Sequence, residues 1–194
     1  MEYRLDKDAL LTILQQWNSF LKKRVHLIAC GGTAMTLLGV KASTKDVDFI
    51  VPNMAEYNYL IKTLKSLGYV PGSGSGWIRK EEGFIFDLFP GNKIHTTELL
   101  ESPLTEGNNK KLYEYSRLYV GILNHYDLIL SKLIRYTAVD VEDCEMLVRA
   151  KRDEIDIERL IGHYRELASY DIASDRITKH IDYFIDHLRV EDLL

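Results

Sequence analysis

The stretch that decides the fold is GGTAMTLLGVKASTKDVDFIV, residues 31–51. It follows a short apolar run, Val25 to Ala29, which predicts a buried strand. Two glycines interrupt that strand, and Thr33 to Leu38 predicts a short helix that ends at Gly39. Acidic and apolar residues then alternate up to Pro52, which is the period of a second strand. Strand, glycine turn, helix and strand in this order predict a unit in which helices and strands are mixed.

Helical and strand patterns continue on both sides of this stretch. Asp6 is expected to cap a first helix, and Asn53 with Glu56 resembles a capping box for a helix that ends near Leu67. Short strands are predicted at 69–70, 77–78, 84–89, 112–115 and 118–123. The connection PGSGSG, residues 71–76, lacks the Gly-Lys-Ser/Thr ending of a Walker loop, which favours a hairpin loop over a nucleotide cradle.

From His125 onward the pattern is helical, with helices predicted at 126–136, 141–149, 155–168 and 177–188. The predicted fold class is α+β, a small mixed β-sheet flanked by helices with a C-terminal helical region. The charged stretch 149–156 is the best candidate for a boundary. We therefore expect an α/β domain at residues 1–150 and a helical extension at 151–194 packed on it.

Composition limits the classes of protein to consider. With 46% hydrophobic and 28% charged residues in 194, the chain is too apolar to be disordered. Lys and Arg number 25 against 29 Asp and Glu, so bulk attraction cannot hold nucleic acid, although a local basic patch can. No apolar run approaches the roughly 20 residues of a membrane span, and the first residues do not form a secretory signal. Cys30 and Cys144 have no zinc or disulfide spacing. We expect a soluble cytoplasmic protein with no membrane partner.

The acidic pair Asp46 and Asp48 carries the strongest chemical signal. Residues spaced by one on a strand point to the same face, with α-carbons about 6.5 to 7 Å apart, so their carboxylates can bridge metal ions roughly 4 Å apart. The spacing alone has no meaning, because Asp6 and Asp8 share it at a helix start. Two like charges on a core strand are costly without a cation, and oxygen-only ligation favours Mg²⁺ or Mn²⁺.

Two further features could complete a site. Asp87 interrupts the apolar run FIFDLF, which either adds a third carboxylate or marks an exposed strand end near the Pro90 turn. Gly31 and Gly32 follow a strand and open a helix, where backbone amides can approach a phosphate and the Thr33 hydroxyl can donate to it. The alternative for the glycines is a tight turn that requires unusual dihedral angles.

In its order of features this stretch resembles the nucleotidyltransferase superfamily that includes DNA polymerase beta. The shared features are the Gly-Gly turn, the short helix, a basic residue, Thr44 and Asp46-x-Asp48. The stretch is most similar to the minimal branch that contains the AbiEii-type toxins, with Lys41 where Arg is commoner. The resemblance extends over roughly residues 25 to 150: Lys132 and Asp143 resemble a basic and an acidic residue of the branch, although Glu142 stands where a basic residue is usual.

The resemblance implies Mg²⁺-dependent transfer of a nucleoside monophosphate from an NTP to an acceptor hydroxyl, with release of pyrophosphate. Asp46 and Asp48 would hold two metal ions, and Asp87 would bind the one that activates the acceptor. Lys132 would neutralise the far end of the triphosphate. The implied nucleotide contacts are Gly31, Gly32, Thr33, Lys41, Thr44 and Lys132.

Several alternatives remain at this stage. The acceptor could be a tRNA or a protein, as for a toxin, and an RNA acceptor would require basic residues near the cleft, namely Lys22, Lys23, Arg24, Lys110 and Lys111. A catalytically inactive nucleotide- or partner-binding module is the second class. Tyr113, Tyr115 and Tyr119 suit base stacking or half-buried strand positions equally. Lys132 with Arg135 also fits the solvated face of an amphipathic helix. The helical tail could pack on the head, on a second subunit of a homodimer or on an antitoxin.

Overall fold

The computed structural model describes residues 4–194, and the chain divides into two compact units. The first unit ends at Asn124, and the second spans His125–Leu194. The sequence prediction placed this boundary at residue 150 because the charged stretch there resembled a break. In the structure that stretch holds a 3₁₀ turn, Arg152–Glu154, between two helices of the second unit, so it does not separate domains.

The first unit contains three helices and nine strands among its described residues. The helices are α1 (Lys7–Phe20), α2 (Gly31–Leu37) and α3 (Met54–Ser66). The strands are β1 (Val25–Ala29), β2 (Val47–Val51), β3 (Val70–Pro71), β4 (Gly76–Ile78), β5 (Phe86–Pro90), β6 (Lys93–Ile94), β7 (Thr97–Glu98), β8 (Asn109–Glu114) and β9 (Leu118–Leu123). Asp6 and Asn53 cap α1 and α3 through their side chains, as the sequence predicted.

The central sheet has the strand order β3-β4-β5-β2-β1-β9-β8. The pairs β2–β5 and β1–β9 are parallel and the other neighbours antiparallel, which confirms the predicted mixed sheet and α+β class. Val70 lies opposite Ile78, so the PGSGSG connection is a hairpin loop, also as predicted. The β6–β7 hairpin, only two residues a strand, carries too little periodicity to have been predicted.

Strand β2 is the buried centre of the sheet. All five of its residues are buried, because it lies between β1 and β5 in the middle of the sheet. On one face, an aromatic cluster forms beneath α1: the ring centroid of Phe86 lies 4.4 Å from Trp17, 5.8 Å from Tyr69 and 5.2 Å from Phe84. Because side chains alternate along a strand, the residue after Phe86 faces the opposite side of the sheet.

The second unit is helical, as predicted. It contains α4 (His125–Leu133), α5 (Ala138–Ala150), α6 (Ile157–Ala168) and α7 (Ser174–Val190). Helix α5 begins earlier than predicted, because Thr137 and Asp140 form a capping box. The buried Tyr164 hydroxyl of α6 lies within hydrogen-bond distance of two carbonyl oxygens, Leu133 at 3.3 Å and Ile177 at 3.1 Å. Among residues 4–194, no helix combines the length and apolar character that crossing a bilayer requires.

Candidate active site

The turn from β1 into α2 is shaped by two glycines against which other residues pack. Gly31 has a φ of +53°, and a Cβ there would lie 2.5 Å from Oδ2 of Asp48. A Cβ at Gly32 would lie 2.6 Å from Oγ1 of Thr44. The Gly32 N–H donates to Oδ2 of Asp48 at 3.2 Å. Gly32 is therefore required by the close approach of Thr44, and Gly31 by that of Asp48 and by its own backbone conformation.

Two threonines hold the main chain of the acidic segment. The Thr33 hydroxyl donates to the Asp46 carbonyl at 3.2 Å and accepts from the Asp48 N–H at 2.8 Å. The Thr44 hydroxyl donates to the same Asp46 carbonyl at 2.9 Å. Both side chains are buried, so their observed contacts position the acids. Direct contact of Thr33 and Thr44 with a phosphate stays a prediction.

Asp48 and Asp87 lie directly opposite each other in the parallel pair β2–β5. Parallel neighbours are about 4.8 Å apart, and residues in register share a face of the sheet. Asp48 is 9% exposed and Asp87 is half-buried, whereas Asp46, two residues earlier, is exposed. Asp87 is therefore not an exposed strand end. The structure brings it to the strand position beside Asp48.

The environment of Asp87 disfavours its charge. Burial, and then the nearby negative charge of Asp46, raise the pKa of this carboxyl above its ordinary value of 3.8. A cation bound beside Asp87 would favour the ionised carboxylate, and so would offset both the burial and the repulsion by Asp46. Asp46 and Asp87 thus interact electrostatically, in addition to the register that places Asp87 beside Asp48.

The residues fit a magnesium-type ion in donor chemistry. All three side chains offer carboxylate oxygens, which suit Mg²⁺ or Mn²⁺ rather than zinc. Across residues 4–194, however, no three His, Cys, Asp or Glu side chains are already gathered as metal ligands. In the described arrangement Oδ2 of Asp48 accepts from the glycine turn. The strand register places Asp48 and Asp87 side by side, and their carboxylates with that of Asp46 are the oxygen donors available to such an ion.

Gly76 is a further residue next to Asp87, and no local pattern in the sequence indicated this position. It lies opposite Asp87 in the antiparallel pair β4–β5, and a Cβ there would lie 3.7 Å from Oδ1 of Asp87. The Leu88 N–H donates to the Ser75 carbonyl at 3.1 Å, which fixes the hairpin beside β5. The sequence signal was present in PGSGSG, but only the strand register assigns its last glycine to Asp87.

The other predicted nucleotide contacts lie in different places. Lys41 is half-buried in the loop before β2, where its N–H donates to the Met35 carbonyl at 3.1 Å. Lys132 belongs to the second unit, where it is 3% exposed and its ammonium group lies 2.7 Å from Oδ2 of Asp143 and 3.9 Å from Asp140. Lys132 does not occupy the solvated face of a helix, and carboxylates within the second unit balance its charge. Its predicted contact with a nucleotide stays untested.

Three of the basic residues that an RNA acceptor would require lie away from the acids. Lys22, Lys23 and Arg24 precede β1, whereas the acidic site adjoins the residue after β1, since the Cys30 N–H donates to the Asp48 carbonyl at 3.2 Å. The length of β1 therefore separates them, about 17 Å for five residues. Lys22, Lys23 and Arg24 therefore lie at the opposite end of β1 from the acids, so these three residues do not meet the requirement that an RNA acceptor places on them.

Comparison with known proteins supports the fold at low sequence identity. No protein-family model matches the chain, and a search of curated proteins finds no similar sequence. A crystal structure of ANT(2″)-Ia in complex with adenylyl-2″-tobramycin aligns with a TM-score of 0.54 and 12% identity, over 82% of this chain and 95% of that chain. A solution structure of the same antibiotic-resistance factor aligns with a TM-score of 0.57 and 14% identity, over 91% and 100%. The chain therefore shares the fold of these two structures.

Proposed function

We propose that the protein is a nucleotidyltransferase that moves a nucleoside monophosphate from an NTP to an acceptor hydroxyl and releases pyrophosphate. The observation that carries this proposal is the register of Asp48 and Asp87 on neighbouring strands, beside the glycine turn that Asp48 contacts. The shared fold supports it, because ANT(2″)-Ia was solved with an antibiotic that carries an adenylyl group.

In the proposed reaction, the acceptor oxygen forms a bond to the α-phosphorus of the NTP. The bond from that phosphorus to the oxygen bridging the α- and β-phosphates breaks, and pyrophosphate leaves. Asp87, whose pKa is raised by burial and by Asp46, accepts the proton of the acceptor hydroxyl. The backbone of Gly31 and Gly32 contacts the triphosphate, and Thr33 and Thr44 hold Asp46 and Asp48 in position.

Asp46, Asp48 and Asp87 would hold two divalent cations, Mg²⁺ or Mn²⁺. When bound, these ions would neutralise charge on the phosphates and lower the pKa of the attacking hydroxyl. The remaining catalysis is positioning and electrostatic stabilisation, which phosphoryl transfers generally depend on.

The finer biological role follows from the resemblance to the AbiEii-type branch. In this proposal the transfer modifies a cellular macromolecule, a tRNA or a protein, and so inhibits growth until an antitoxin opposes it. Expression of the wild-type chain should then arrest growth of a bacterial host, and Asp48→Asn should relieve the arrest at equal protein level. Equal growth inhibition by the variant would remove this role without affecting the proposed chemistry.

The transferase proposal is tested by supplying α-³²P-labelled NTPs, MgCl₂ or MnCl₂, and total cellular RNA or protein to the purified chain. We expect label in one acceptor fraction and stoichiometric pyrophosphate. Asp46→Asn or Asp48→Asn should reduce the rate by at least about 100-fold, because each removes a carboxylate from the reacting centre.

Asp8→Asn is the matched control, because Asp6 and Asp8 have the same spacing but lie at the start of α1. It should leave activity unchanged. Full activity of Asp48→Asn would refute the mechanism. NTP binding measured by calorimetry without pyrophosphate release, in the presence of both acceptor fractions, would support the alternative of a catalytically inactive nucleotide-binding module.

A further inference from the structure

We propose that one edge of the first unit, which we call the β8 edge surface, binds single-stranded nucleic acid. The surface consists of residues 15–24 and 109–119, that is, the end of α1, the loop before β1, strand β8 and the β8–β9 turn. It holds six basic residues and one acidic residue, a formal charge of +5 in a chain whose net charge is −4. These residues are Lys22, Lys23, Arg24, Lys110, Lys111, Arg117 and Glu114.

The basic side chains are presented on a fixed surface. All six are solvent-exposed. The Arg24 guanidinium pairs with Glu114 across the two segments. The side chain of Asn18 accepts from the Arg117 N–H at 2.8 Å and donates to the Ser116 hydroxyl at 3.3 Å. These contacts join α1, the loop and the turn, so the segments that carry the positive charges are held together, and Glu114 pairs with both Arg24 and Lys111.

A pair of tyrosines distinguishes this surface from a simple charged patch. The rings of Tyr113 and Tyr115 are stacked, with centroids 6.1 Å apart and an interplanar angle of 17°, and both residues are partly exposed. Lys110 and Lys111 precede them on the same edge strand. Aromatic rings next to a basic groove bind the faces of unpaired bases, which a duplex conceals. An acidic protein would use the lysines but would have no need of the ring pair.

Strand β8 extends from the basic end of this surface towards the end of the sheet at which the glycine turn contacts Asp48. Asn109 lies opposite Leu123, at the end where β1 leads into the glycine turn, and Glu114 lies opposite Tyr119, at the end of Lys22 and Arg24. A nucleic acid strand bound along β8 therefore runs from the end of the sheet at Lys22 and Arg24 towards the end at which β1 leads into the glycine turn. Binding itself does not depend on the proposed function; if transfer also occurs, RNA becomes the acceptor class.

The test is fluorescence anisotropy of a fluorescein-labelled U₂₀ RNA with the full-length chain, without NTP or divalent cation, between 25 and 200 mM salt. Lys22→Gln with Lys23→Gln should weaken binding at low salt and reduce the slope of log affinity against log salt by about 1.4, or 0.7 for each phosphate that is no longer neutralised. Tyr113→Leu with Tyr115→Leu should weaken binding by about fivefold to a hundredfold with an unchanged slope.

Two controls keep the result specific. Lys62→Gln with Lys80→Gln removes two exposed lysines outside the surface and should leave affinity unchanged. Asp48→Asn should bind RNA as the wild type does, so failed binding and failed transfer are separate results. Absence of binding at 25 mM salt would overturn the proposal. The proposal would also be overturned if duplex RNA and heparin bound as tightly as U₂₀ and the tyrosine substitutions did not change the affinity. The melting temperatures of the variants must match that of the wild type for this comparison.

Discussion

Asp48 and Asp87 are direct cross-strand partners in the parallel pair β2–β5. The pairing places two acidic positions on one face of a sheet whose other face is closed by the Trp17–Phe86 cluster. Asp46 adds a third negative charge that acts on Asp87. Burial and the charge of Asp46 therefore make the ionised form of Asp87 less favourable, and a cation bound there would offset this effect.

The first prediction concerns the pH dependence of stability at Asp87. Burial and the charge of Asp46 raise the pKa of the folded carboxyl above 3.8, so the folded state holds this proton more tightly than the unfolded chain. Without divalent cations, the free energy of unfolding should fall as pH rises through the window from about 3.8 to the raised pKa. Asp87→Asn removes this loss and should be more stable than the wild type at pH 7.

Urea unfolding of both proteins from pH 4 to pH 8, with EDTA, measures the difference. Adding MgCl₂ at pH 7 should stabilise the wild type by about 2.7 kcal/mol at 100 times the dissociation constant, and Asp87→Asn by less. The expected result is a larger stability difference between Asp87→Asn and the wild type at pH 7 than at pH 4. An equal difference at the two pH values would contradict the cause assigned to the pKa shift.

The second prediction concerns Gly31 and uses Gly39 as its control. Both glycines have positive φ, +53° and +75°, but a Cβ at Gly39 meets no heavy atom within 4 Å, whereas at Gly31 it meets Oδ2 of Asp48. Gly39→Ala should therefore cost only the backbone strain, about 1–2 kcal/mol. Gly31→Ala should cost more and should also displace Asp48, so that kcat falls at least about tenfold. Equal losses of stability and activity in the two variants would show that the turn does not position the acid.

The third prediction concerns the Thr33 hydroxyl. Thr33→Val keeps the shape of the side chain but leaves the Asp48 N–H without its acceptor, which should cost about 1–3 kcal/mol. Since Asp46 and Asp48 move with their main chain, kcat should fall while the KM for NTP changes little. Thr33→Ser restores the hydroxyl and should recover most of the activity. Failure of serine to restore kcat would assign Thr33 to core packing alone.

The fourth prediction concerns Lys132, whose ammonium lies 2.7 Å from Asp143 in the second unit. Lys132→Met removes the ammonium group that pairs with this buried carboxylate and should lower the free energy of unfolding by about 3–5 kcal/mol. Lys132→Met with Asp143→Leu removes both charges and should restore most of that stability.

The double variant also separates the two roles of Lys132. Because carboxylates balance its charge in the structure, we expect the KM for NTP to change by less than about twofold in the double variant. A tenfold rise in KM with stability restored would instead support the nucleotide contact that the resemblance implies.

Local chemistry made much of the fold predictable from the sequence. The caps at Asp6 and Asn53, the hairpin loop after Pro71 and the strand–glycine–helix–strand order all follow from side-chain periodicity and turn residues within a few positions of one another. The acidic pair was equally visible, because only Val47 separates Asp46 from Asp48 in the sequence. Element ends were less predictable where a cap replaced periodicity, as at Thr137.

The sequence by itself determined the elements, the mixed α+β class and the acidic pair, because these depend on interactions between neighbouring residues. Only the tertiary structure decided that Asp87 lies opposite Asp48, that Gly76 adjoins Asp87 and that Lys132 is buried against Asp143. It also decided that residues 22–24 lie at the opposite end of β1 from the acids. The physical reason is that strand register and burial are set by contacts between segments far apart in the chain, and no local pattern encodes which segments meet.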